Sequence, residues 1–325
     1  MLPSVATSHS LVRSALRRPL TLRPEELDLG ARGFRLADPA VRPVLDSVVA
    51  AFATGYNGML SRDPADLGVD RLGARVRGFA YEGAAMSAVI LDLVTMSGGR
   101  RIRELDRVTG GRYVHLLLVG AGWAYARLRL RPWRGVRFGP PVLRWLAWDG
   151  WGFHQAFFHP AAVFGNGWIE ARVPADCRAI RDQGAGRALW FYAGAEPARI
   201  AEVIDGLPGH RRADLWAGIG LAAAYTGAQS PEALHRLVAA GEDHAAELAQ
   251  GAAFAAKAHL LSGVVTDETV AAVKILTGVD APAAAQWTDD ALAALTGRPD
   301  TPETYEAWRA GVRDAWSSTL GEVTR

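Results

Sequence analysis

Asp214-Leu215-Trp216-Ala217-Gly218-Ile219-Gly220-Leu221-Ala222-Ala223-Ala224-Tyr225 reads as one helix with two glycines at its centre. Thr226-Gly227-Ala228-Gln229 supplies a turn. Ser230-Pro231-Glu232 then opens a second helix, with an N-cap serine and proline at the first helical position. Leu234, Leu237 and Val238 carry that helix at helical spacing to a stop at Gly241. The glycine-bearing element recurs along the chain: Glu82-Gly83-Ala84-Ala85-Met86, Val119-Gly120-Ala121-Gly122-Trp123, Asp149-Gly150-Trp151-Gly152-Phe153, Gln183-Gly184-Ala185-Gly186, Ala217-Gly218-Ile219-Gly220-Leu221 and Gln250-Gly251-Ala252-Ala253-Phe254. The leading glycines, at positions 83, 120, 150, 184, 218 and 251, lie 37, 30, 34, 34 and 33 residues apart. A near-constant period in the thirties points to stacked pairs of helices.

A glycine inside a helix costs about 1 kcal/mol relative to alanine. Close approach of a neighbouring helix is the usual compensation, so the spacing predicts tight crossings at these glycines. The unit around residue 218 is similar to a tetratricopeptide-type hairpin, a likeness confined to about residues 188–280. The expected fold is all-α: tandem helical-hairpin repeats in a tetratricopeptide-like stack of period about 34 residues, with no strands. Residues 1–30 read as a basic amphipathic arm, carrying Arg13, Arg17, Arg18 and Arg23 before the first acid, Glu25. Residues 31–325 read as one helical-repeat domain, with two related halves at about 31–160 and 180–280. The similar starts Asp38-Pro39-Ala40-Val41 and Glu196-Pro197-Ala198-Arg199 suggest that relation. Tyr305, Trp308, Val312 and Trp316 give the tail an apolar stripe suited to a capping helix.

Half of the 325 residues are hydrophobic and 22% are charged, the composition of a well-packed chain. Cys177 is the single cysteine, so no intramolecular disulfide or thiolate metal cage can form, and a reducing cytoplasm is the expected setting. The longest apolar run, Val114 to Ala126, is interrupted by His115 and is too short to span a bilayer. Net charge is +2, but eleven arginines against two acids fall between Arg100 and Arg144. Such a block suits a phosphate, an acidic partner or peripheral membrane contact; a set of solvated helix faces is the alternative. The near-zero net charge and the lack of a binding motif argue against nucleic acid.

The residue before each repeat glycine is Glu82, Asp149, Gln183 or Gln250 in four copies, where a packed helical repeat would place an apolar group. Buried carboxylates are costly unless hydrogen-bonded or functional. Each therefore either bonds a neighbouring turn or an arginine such as Arg77 or Arg187, or points into a shared cavity. The expected aromatic lining is Trp123, Trp151, Phe153, Trp190 and Trp216, with Tyr81, Arg187, Gln183 and Gln250 also contacting a substrate. Asp149, His154 and His159 are five apart, which scatters them around a helix and argues against a metal site. Glu82, Asp149 and His154 are the candidates for proton transfer, although a histidine in such a setting is more commonly a satisfied interior one. Nucleophile elbows and dinucleotide fingerprints are absent, and no cofactor is indicated.

Arg77-Gly78-Phe79-Ala80-Tyr81-Glu82-Gly83, Val119-Gly120-Ala121-Gly122-Trp123-Ala124, Asp149-Gly150-Trp151-Gly152-Phe153-His154, Gly186-Arg187-Ala188-Leu189-Trp190-Phe191, Arg212-Ala213-Asp214-Leu215-Trp216 and Gln250-Gly251-Ala252-Ala253-Phe254-Ala255-Ala256-Lys257 resemble the UnbL-type enediyne biosynthesis proteins. The likeness runs in order from about Gly33 to Trp308. It implies an actinomycete accessory protein encoded beside an iterative enediyne polyketide synthase, acting on a hydrophobic polyene-derived intermediate during formation of the enediyne core. The resemblance carries over no catalytic residue. A non-catalytic scaffold that docks a carrier protein or a membrane-bound partner is the competing expectation.

Overall fold

The computed structural model describes residues 20–132, 138–165 and 173–323. The helices run α1 (Pro24–Leu27), α2 (Val41–Ser61), α3 (Ala74–Val94), α4 (Arg100–Thr109), α5 (Val114–Arg127), α6 (Leu146–Phe158), α7 (Arg178–Tyr192), α8 (Pro197–Asp205), α9 (Gly209–Thr226), α10 (Pro231–Ala240), α11 (Ala245–Ser262), α12 (Asp267–Thr277), α13 (Ala281–Ala293) and α14 (Pro302–Val323). No strand occurs among the described residues, so the protein is all-α as expected. Ser230 caps α10, Thr266 caps α12 and Asp280 caps α13, each accepting from a backbone N–H in the first turn.

A single row organises the interior: α2, α3, α5, α6, α7, α9, α11 and α13 each pack on the next. The repeat glycines make this row. A Cβ on Gly83, Gly120, Gly150, Gly184, Gly218 or Gly251 would strike a backbone carbonyl oxygen of the preceding helix, that of Phe52, Glu82, Val119, Asp149, Gln183 or Ala217 respectively. In the Gly-x-Gly copies the second glycine faces the following helix instead. Gly122, Gly152, Gly186 and Gly220 lie on the carbonyls of Ala147, Arg181, Leu215 and Leu248. From α2 to α11 backbone meets backbone at each crossing, and the interhelical distance there is set by main chain.

The shorter α8, α10 and α12 lie side by side outside α7, α9 and α11. A helix-turn-helix alternation is therefore visible from α7 onward. Between α5 and α6, and between α6 and α7, the described residues hold only short helical turns. The similar starts at Asp38-Pro39 and Glu196-Pro197 open unlike elements: a long helix of the row (α2) and a short outer one (α8). The short α4 carries six charged residues around the buried Ile102 and Leu105, so little apolar pattern marks it as a helix in the sequence.

Both ends of the described chain are built into the fold. Asn57 accepts from the Leu22 N–H and donates to the Leu22 carbonyl, each at 3.0 Å. Phe34 meets Phe157 and Tyr192 edge-on, and the Arg35 N–H donates to the Tyr192 carbonyl at 3.2 Å. Residues 20–36 are thus a strap from α2 to α7 rather than an arm; residues 1–19 of the expected arm lie outside the described residues. The tail helix α14 packs on α11 and α13, and also reaches the turns at Pro141–Trp145 and Ala175–Cys177. It crosses the fold instead of only closing its end, because Tyr305, Trp308, Arg309 and Val312 all find buried neighbours there.

Candidate functional site

A helix advances 100° per residue, so the residue before a repeat glycine shares its face with the residue four further on. In the row that face is interior. Glu82, Asp149, Gln183 and Gln250 are all buried, and a chain of hydrogen bonds and ion pairs joins them. Trp123 Nε1 donates to Glu82 Oε1 at 3.1 Å. Arg187 stands between two carboxylates, 3.7 Å from Glu82 Oε2 and 2.5 Å from Asp149 Oδ1. Gln183 Nε2 donates to Asp149 Oδ2 at 2.8 Å, and Gln250 Nε2 donates to Gln183 Oε1 at 3.3 Å. From α14, Arg309 Nε and Arg313 NH1 donate to Gln250 Oε1 at 3.3 and 3.1 Å. Arg309 also holds Asp214 and Glu306 at 2.8 Å each.

Two apolar cavities of about 40 Å³ each share Arg187 as a wall. One lies between the strap and the row; Leu22, Leu27, Phe52, Phe79, Trp123, Phe153, Phe157, Phe158 and Phe191 line it, with the Glu82 carboxyl in its wall. The other is bounded by Leu116, Val119, Leu146, Asp149, Leu221, Tyr225, Phe254 and Trp308, with His115 and Lys257 also in its lining. Arg187 lies over the Phe153 ring at 5.0 Å, which adds a cation–π contact to its ion pairs.

Burial raises the Glu82 carboxyl most strongly, and the Asp149 charge adds to it. The Arg187 charge and the Trp123 hydrogen bond pull the other way, and the result is pushed up to about 7. A carboxyl balanced there can give or take a proton near neutral pH. His154 is different: burial first, then the charges of Arg127, His159 and Arg32, push it down to about 3. Its ring packs edge-on to Trp123 at 5.6 Å and against Phe158 at 4.6 Å, and neither ring nitrogen has a hydrogen-bond partner.

Several expected lining residues stand elsewhere. Tyr81 stacks on Tyr113 at 4.4 Å. Trp151 donates to the Leu130 carbonyl and packs on Trp148. Trp190 donates to Thr226 Oγ1, and Trp216 lies beneath Gly241. Of the four expected tryptophans only Trp123 lines the slot, because the other three project from different sides of their helices. Residues not anticipated include Phe52, Phe157, Phe158, Phe191, Tyr225 and Arg309. Arg77, considered as a partner for the carboxylates, instead donates to the carbonyls of Leu72 and Asp70. In the arginine-rich block Arg101, Arg107, Arg127 and Arg144 pair with Asp92, Glu104, Glu26 and Asp300. Among the described residues no three His, Cys, Asp or Glu side chains gather as a metal site, and no helix is long and apolar enough to cross a membrane.

Residues 11–316 match the family described as "Protein of unknown function (DUF1702)". The chain belongs to this family. No curated protein and no solved structure matches it.

Proposed function

We propose that this member of the DUF1702 family is an accessory enzyme of enediyne biosynthesis. It acts in the cytoplasm of an actinomycete on a hydrophobic, polyene-derived intermediate as the enediyne core forms, through a cyclisation, isomerisation or related core-tailoring step. The observation that carries the reading is the Glu82 carboxyl, balanced near neutrality in the wall of an aromatic slot. Flat aromatic walls suit an extended conjugated chain. Glu82 moves the proton, Trp123 and Arg187 orient it, and Asp149 holds Arg187 in place. His154 stays neutral and packs behind the wall, against Trp123 and Phe158.

The slot is small in the strapped state, so substrate entry requires Leu22 and Leu27 to move aside. The architecture is read as a tetratricopeptide-like stack of hairpins, supported by the alternation of inner and outer helices from α7 onward. The competing scaffold role, docking a carrier protein, the polyketide synthase or another accessory protein through the arginine block, has less support. Four of those arginines are engaged within the chain, and a scaffold has no use for a buried carboxyl held near pH 7. The test is deletion of the gene in a producing strain followed by complementation with Glu82→Gln. Loss of the core on deletion and failure of Glu82→Gln to restore it are expected. Undiminished core production by the deletion strain overturns the reading.

A further inference from the structure

The aromatic slot approaches the surface at Leu27, Phe52 and Phe158, its three partly exposed lining residues. Two guanidinium groups stand at that end, Arg32 from the strap and Arg127 from the end of α5. Arg32 Cζ lies 4.4 Å from the centre of the Phe158 ring and 5.5 Å from that of Phe157, and Arg127 Cζ lies 6.0 Å from the Phe158 ring. The Glu26 carboxylate beside them is stretched between Arg23 at 3.9 Å and Arg127 at 4.0 Å. Arg32 donates to the Glu26 backbone carbonyl at 2.7 Å. Burial pushes the Arg32 guanidinium below its ordinary range, the Glu26 charge pulls it back, and the Arg127 charge lowers it again. One carboxylate thus faces three guanidinium groups, and its ion pairs with Arg23 and Arg127 lie at the outer limit of contact. The mouth carries an excess of positive charge.

The inner end has the opposite balance. Glu82 and Asp149 already share Arg187, so a carboxylate entering there would meet a cation that faces two acids, in a site that desolvates it. Rings join the two ends: the Phe158 and Trp123 centroids are 6.1 Å apart, and Trp123 Nε1 reaches Glu82. We propose that the slot takes an unsaturated carboxylic acid tail first, with its carboxylate held at the mouth by Arg32 and Arg127 and its conjugated chain laid along Phe158 and Trp123 toward Glu82. This names the substrate class of the slot and rests on the reading of that slot as a site for a conjugated chain.

cis-Parinaric acid and its methyl ester carry the same tetraene tail and differ by one charge. Each is titrated into the full-length protein at low salt, and binding is read from the tetraene fluorescence. The ester is the more hydrophobic probe, so burial alone favours it. The parent is nevertheless expected to bind the acid at least about tenfold more tightly, a preference that shrinks as salt rises. Arg32→Gln and Arg127→Gln are each expected to weaken the acid about fivefold and to leave the ester within about twofold. Arg127 is exposed, so Arg127→Gln decides the matter should thermal melts show that Arg32→Gln does not fold. Glu82→Gln distinguishes the two orientations: with the carboxylate at the mouth, the ratio of acid to ester affinity stays within about threefold of the parent's. A rise of tenfold or more would put the carboxylate at the inner end and overturn the proposal. Equal binding of acid and ester, or an acid preference unchanged by both arginine variants, also overturns it while leaving the apolar slot in place. Binding of neither probe overturns both.

Discussion

Gly184 rests on the carbonyl oxygen of Asp149, and the side chain of that same Asp149 receives Arg187 from one turn further along α7. Helix spacing and the polar centre thus meet at one residue. Gly184→Ala places a methyl group inside the envelope of that oxygen and forces α6 and α7 apart. A loss of about 3 kcal/mol in urea unfolding is expected. Gly209→Ala, where a Cβ meets nothing within 4 Å, stays within about 0.5 kcal/mol of the parent. Equal effects at the two positions would count against backbone-set spacing.

Glu82→Gln separates the proton from the scaffold. The folded carboxyl sits near 7, above its ordinary 4.5, so the folded chain holds that proton more tightly than the unfolded one. The stability this contributes is complete below about pH 4.5 and is lost as pH rises through 7. Between pH 5 and pH 8 the parent should therefore lose on the order of 2–3 kcal/mol relative to Glu82→Gln. Parallel urea-unfolding curves for the two proteins across that range would refute the shifted carboxyl.

His154 has the opposite sign. Its folded value of about 3 lies below the ordinary 6.5, so its contribution is present above pH 6.5 and disappears as pH falls toward 3. His154→Leu is expected to flatten the acid limb of the stability profile by a few kcal/mol. An acid midpoint unmoved by the substitution, followed by circular dichroism, would show that the ring is already protonated in the fold.

Arg187→Met leaves Glu82 and Asp149 buried without their cation, which should cost about 3–5 kcal/mol. Adding Glu82→Gln and Asp149→Asn removes the two stranded charges, so the triple variant should recover most of that loss. Additive losses in this set, measured by denaturant titration, would mean that the three side chains are not coupled.

Asn57→Ala removes both hydrogen bonds to Leu22 and frees the strap over the aromatic slot. A global loss of about 1–2 kcal/mol is expected, together with faster uptake of cis-parinaric acid, a fluorescent conjugated tetraene, in stopped-flow mixing. Unchanged uptake would mean that the slot is reached from another side.

The glycine period was enough to infer an all-helical chain, and the polar residues before Gly83, Gly150, Gly184 and Gly251 were enough to mark its centre. The slot walls were harder to read for a geometric reason. Trp123, Phe153 and Arg187 stand four residues after Val119, Asp149 and Gln183, about 40° around the helix, and so share the interior face. Leu221 and Phe254 follow the same rule after Ala217 and Gln250 and line the second cavity. Trp151 stands two residues after Asp149, about 200° around, and faces the other way. Counting by four separates these cases, whereas counting tryptophans does not. The contributions of Phe34, Leu22 and Arg309 come from segments far away in sequence, and no local spacing announces them.

Main-chain crossings leave the side chain before each glycine free of any spacing duty. Val119 and Asp149 occupy equivalent places in the row, and the helices that carry them meet their neighbours by the same backbone contact. Interior chemistry can therefore be exchanged position by position without the framework having to be rebuilt around each change. Diversification in this family is then expected at the six residues preceding the repeat glycines and at the positions four beyond them, with the glycines themselves held constant.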